Sequence, residues 1–114
     1  MKKKQIELPE GCTPEMVAKW KEKYGKEHIK ISELPTDETG DSTLSVVLRV
    51  PDRRVVGMFE RHMERDPDKS KEIMVKNCTL FGLEQVLAND GLFFTCFSAI
   101  ADLIPIRKAL TKNL

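Results

Sequence analysis

The chain has 114 residues, which is enough for one packed core but too short for a second domain beside it. Its 19 basic and 18 acidic residues leave a formal net charge of +1 and are mixed along the sequence, which disfavours a polyanionic partner. A hydrophobic content of 40% and a charged content of 32% describe an ordinary globular protein.

In chain order, residues 2–8 alternate weakly and suggest an edge strand whose lysines discourage edge-to-edge pairing. Lys2, Lys3 and Lys4 resemble the start of a secretory signal, but Gln5, Glu7, Pro9 and Glu10 stand where its apolar segment belongs, so none is expected. Thr13, Pro14 and Glu15 supply the N-cap, the first helical position and an acidic first turn. Met16, Val17, Trp20 and Tyr24 then recur at helical spacing, and Gly25 is expected to close the helix in the left-handed conformation. His28 to Ser32 alternates at period two with its isoleucines on one face. After a polar turn from Pro35 to Ser42, Thr43 to Val50 gives the clearest strand. Leu44, Val46, Leu48 and Val50 share one face of it, and Ser45, Val47 and Arg49 share the other.

From Pro51 onward the pattern is helical. Asp52 caps a helix to about Arg65 with Val55, Val56, Phe59, His62 and Met63 on the buried side. Asp66 and Pro67 break it and start another carrying Ile73, Met74, Cys78 and Phe81. Gly82, a short helix over Leu83 to Leu87, and a turn at Asn89-Asp90-Gly91 precede an apolar helix. Phe93, Phe97, Ile100 and Ile104 form one face of that helix and Leu92, Cys96 and Leu103 another, with Pro105 kinking it or splitting off a terminal helix. Strands first and helices afterwards predict an α+β fold: a short antiparallel sheet of two to three strands in the N-terminal half, packed against a C-terminal helical cluster. A single domain over 1–114 is expected, β-rich over 1–50 with one helix near 13–25, and helical over 52–114. Leu44, Val46, Leu48 and Val50 should meet Trp20, Phe59, Met74, Phe97 and Ile100 in one core.

No residue pattern announces chemistry. Cys12, Cys78 and Cys96 are an odd set without C-x-x-C spacing, which suggests neither a disulfide framework nor zinc. Cys78 and Cys96 sit in apolar surroundings, whereas Cys12, just before a helix N-terminus, is the most reactive candidate. His62 has Asp66 four residues on but no further ligand, so no metal, cofactor or catalytic residue is assigned. Arg49, Arg53 and Arg54 are the best cationic cluster, although Asp52 lies among them and Glu60 and Glu64 follow. The apolar run from Leu92 to Ile106 is broken by polar residues and falls short of a membrane span, yet it holds more apolar side chains than one core-facing stripe needs. Phe93, Phe94, Ile104 and Leu110 are therefore the candidate protein-binding residues.

One resemblance extends over most of the sequence. The strand leading into Arg49-Val50-Pro51-Asp52-Arg53, the long polar helix, Lys71-Glu-Ile-Met-Val-Lys-Asn-Cys78, Asn89-Asp90-Gly91-Leu92-Phe93 and the apolar helix with its Lys-rich tail are similar to small proteins of phage and prophage structural-gene clusters, the tail assembly chaperones. Thr79-Leu80-Phe81-Gly82-Leu83 departs from that pattern, in which a Trp and a Gly-Gly-Asp turn follow the cysteine. The resemblance implies a non-enzymatic phage assembly factor in the host cytoplasm, with the virion as the other location. Its partners would be hydrophobic helical segments of a tail protein (tape measure or tube), with no membrane, no cofactor and room for a homo-oligomer. The alternative is a small nucleic-acid-binding regulator using Arg49, Arg53 and Arg54.

Overall fold

The computed structural model describes residues 8–106 and 109–114. The edge strand expected at 2–8 lies outside them except for Leu8, which belongs to no strand. Helix α1 spans Pro14–Tyr24, and the Thr13 hydroxyl accepts the Met16 N–H at 3.2 Å. Gly25 ends it with its N–H on the Lys21 carbonyl, but at φ 104° and ψ 138° rather than in the expected left-handed helical region. Glycine suits the position twice over. Its φ is positive, and a Cβ would stand 2.9 Å from Nδ1 of His28. That imidazole turns back to donate from Nδ1 to the Tyr24 carbonyl at 2.6 Å, so His28 belongs to a 3-10 turn and not to the strand.

Strand β1, Ile29–Pro35, pairs antiparallel with β2, Thr43–Arg49, from Ile29 opposite Arg49 to Pro35 opposite Thr43. The connecting loop is tied by Asp37, whose carboxylate accepts the Gly40 and Asp41 N–H groups. A short third strand, β3, Thr79–Phe81, completes the sheet on the other side of β2. It was not expected from the sequence, where Phe81 read as the end of a helix.

The α+β architecture is as the patterning predicts, with the remaining helices on one face of this sheet. Helix α2 spans Arg53–Met63 and α3 spans Pro67–Cys78; Asp52 and Asp66 cap them by accepting the Val55 and Lys69 N–H groups. The helix ends before Arg65, and Met63 faces solvent instead of the core. Helix α4, Leu83–Leu87, follows left-handed Gly82, where a Cβ would lie 2.8 Å from Cγ1 of Val46. Helix α5, Asp90–Asp102, begins where a free turn was expected: Asn89 is its cap, accepting the Leu92 N–H at 3.0 Å. Among the described residues no helix follows Pro105, so the terminal helix is not seen. No helix among them is long and apolar enough to cross a membrane.

The core joins Leu34, Val46 and Leu48 of the sheet to Val55, Met74, Val75, Cys78, Val86, Leu92, Cys96 and Ile100 of the helices. Along α5 the deepest row is Leu92, Cys96 and Ile100 at i+4 spacing, flanked by half-buried Phe93 and Phe97. Leu44, Phe59 and Phe97 pack against this core, but Trp20 and Val50 do not belong to it. The reason is geometric. Register puts Ile29, Ile31, Val47, Arg49 and Phe81 on the opposite sheet face, and Tyr24 of α1 lies over Arg49 there. Helix α1 therefore packs on the side of the sheet away from the core and buries none of its residues fully. Both faces of β2 are covered over Val46, Val47, Leu48 and Arg49, each buried.

Candidate functional site

The four candidate binding residues do not form one patch. Phe93 and Phe94 meet edge to face with ring centres 5.7 Å apart, and both line a groove of about 490 Å³ beside α3. Phe93 is half-buried against the core, whereas Phe94 is 55% exposed. Leu87, at the end of α4, also lines the groove and is exposed, and the Lys71 ammonium stands 5.7 Å from the Phe94 ring centre. Asp68, Glu72 and Lys76 bring charge to the groove from α3, with Glu72 and Lys76 forming an ion pair one helical turn apart. The Lys76 side chain holds the Glu72 carboxyl below its usual range. Leu87 and Lys71 were missed from sequence; the only signal for Leu87 was an apolar residue at the end of a short helix before the Asn89 cap.

Ile104 belongs elsewhere. It lines a second cleft, of about 550 Å³, with Tyr24, Arg49 and Val56. Ile104 lies ten positions beyond Phe94, past the end of α5 at Asp102. Leu110 is 86% exposed in a stretch without regular secondary structure.

The cationic alternative loses its first member. Arg49 is only 5% exposed. Its Nε donates to the Asn77 carbonyl at 2.8 Å and its Nη1 to Oδ2 of Asp52 at 3.3 Å, and the guanidinium lies 4.6 Å from the Tyr24 ring centre. Arg53 and Arg54 remain exposed at the start of α2, beside Asp52. The Val55 N–H and then Arg49 hold the Asp52 carboxyl below its usual range. Three cations converging on one free face are therefore not present here.

Neither histidine is bonded to a cysteine among the described residues. His28 and His62 each donate from Nδ1 to the carbonyl four residues earlier, Tyr24 and Met58. Asp66 caps α3, and among the described residues no group of three or more His, Cys, Asp or Glu is placed to hold a metal ion. Cys12 is buried, contrary to the reactive reading, and burial raises its thiol above the ordinary value. Burial likewise raises Cys96, which contacts the Thr79 hydroxyl at 3.4 Å, and pushes Cys78 up to about 11. A thiol whose folded pKa is raised adds stability below its unfolded value and loses it as pH climbs to the folded value. The expected result is a melting temperature that falls between pH 9.0 and about 11, the window set by Cys78. Thiol labelling of Cys78 and Cys96 should track unfolding throughout. Rapid labelling of either in the folded chain would contradict this.

Compared with protein-family models, curated proteins and solved structures, the chain matches none.

Proposed function

We propose that the chain is a non-enzymatic assembly factor of the phage tail assembly chaperone kind, which shields an apolar helical segment of a tail protein. The tape measure protein is the client that the sequence resemblance favours. The observation that carries this reading is Phe94, an aromatic ring left 55% exposed on the helix whose other side is the core. With Leu87 it supplies an apolar surface flanked by Lys71, Glu72 and Lys76. An apolar strip between ionic margins suits an amphipathic helix, which sets its apolar residues inward and its charges toward the rim. Such a client needs cover in water until it finds its own partners.

The test is co-purification of the chain with coiled-coil segments of a tape measure or tube protein, followed by titration. Phe94→Ala should lower the affinity about thirtyfold, the loss of about 2 kcal/mol that an aromatic anchor gives on truncation. Leu87→Ser should lower it less, and Leu110→Ser should leave it unchanged. Tight binding of a tail segment that ignores Phe94→Ala would move the surface elsewhere. Absence of binding to any tail segment would remove the assembly role.

A further inference from the structure

The cleft that holds Ile104 shares no lining residue with the Phe94 groove and does not depend on the reading above. Tyr24, Val56, Ile104 and Pro105 give it apolar walls. At its floor lies Arg49, a charged side chain 5% exposed, and at its margin stand exposed Lys23 and Arg53.

A guanidinium carries five N–H donors in a fixed plane. In Arg49, Nε is taken by the Asn77 carbonyl and Nη1 by Asp52, and among the described residues no acceptor meets Nη2. Among those residues, too, no sealed side-chain nitrogen or oxygen lacks a partner, so Nη2 is not sealed from solvent, and Arg49 lines the cleft. The arginine is therefore held by Asn77 and Asp52 beside the Tyr24 ring, with Nη2 to spare. The acids nearby offset this only in part. Asp52 and Glu60 stand against Lys23, Arg49 and Arg53, which leaves one positive charge in excess.

We propose that this cleft binds an organic carboxylate with an apolar body. The carboxylate accepts from Nη2 of Arg49, and the body lies against Tyr24, Val56 and Ile104. A monoanion matches that single excess positive charge. A phosphate dianion would bring one negative charge more than the lining balances. Apolar walls joined to a few placed polar groups are the usual make-up of a small-ligand site.

The probe is 4-phenylbutyrate, set against its neutral amide, with binding read from NMR shifts of Tyr24, Val56 and Ile104. The acid should bind with a dissociation constant of about 1 mM or tighter, the range its size allows. The amide should bind about tenfold more weakly, having lost the charge-assisted contact. Because Arg49 also holds the fold, the variants are placed on exposed residues: Lys23→Glu and Arg53→Glu should each weaken the acid, and Phe94→Ala should not. Equal binding of acid and amide would reduce the cleft to an apolar crevice and overturn the proposal. Displacement of the acid by equimolar sulfate, indifference to both charge reversals, or no shift at millimolar acid would overturn it as well.

Discussion

Leu48→Ala should cost about 2–5 kcal/mol of folding free energy, and Phe97→Ala less, about 1–3 kcal/mol. Leu48 is fully buried on the central strand, between β1 and β3 and beneath the helices. Truncation there leaves a hole that no mobile loop can fill. Phe97 stacks on Phe59 with ring centres 5.6 Å apart, but it is half-buried, so part of its surface already meets water. Trp20→Ala belongs on the same scale as a control: outside the core, it should cost less than Leu48→Ala. Urea melts give all three values. A loss at Leu48 below that at Trp20 would reverse the assignment of the two sheet faces.

The second large effect concerns Arg49. Among the described residues, replacing it with Ala removes the side chain that pairs the Asn77 carbonyl, one of the orphan acceptors at the end of α3. It also removes the cation from the face of Tyr24. A stranded buried acceptor costs about 1–3 kcal/mol and a desolvated cation–aromatic contact about 1–2, so a total of about 2–5 kcal/mol is expected. Asp52 adds little, because its side chain is half exposed and turns to water. Arg49→Lys keeps the charge but not the fork that reaches Asn77 and Asp52 together, and should recover less than half of the loss. Losses below about 1 kcal/mol for Arg49→Ala would mean that water satisfies Asn77 just as well.

The readable parts of this fold were the local ones. Thr13 with Pro14, Asp52, and Asp66 with Pro67 start helices by bonds that close within a few residues, so the sequence carries them in plain view. The alternation over Leu44, Val46 and Leu48 identified β2 because a strand buried against helices needs it. Trp20 was misplaced for a different reason. Periodicity tells which side of a helix is apolar, but not which face of the sheet it will meet. β3 escaped because three residues hold no period, and its partner Val47 lies far upstream. Arg49 read as a surface cation, since Tyr24 and Asn77, which enclose it, come from distant parts of the chain. Phe94 was legible as apolarity in excess of what one core stripe requires. Its separation from Ile104 was not, because both clefts depend on where α1, α3 and α4 pack.

The pairing of Leu48 with Thr79 also closes a long excursion of the chain. About 30 residues separate these partners, and bringing such ends together costs roughly 3 kcal/mol of chain entropy. β1 and β2 meet across a much shorter loop, tied by Asp37, at a cost of roughly 2 kcal/mol. The excursion between β2 and β3 is filled by α2 and α3, which pack side by side and draw its ends together. Thr79–Phe81 therefore acts as a clasp on that excursion, and Gly82 just beyond it lies against Val46. The same clasp leads straight into α4, so three residues of strand fix where the Leu87 edge of the Phe94 groove begins.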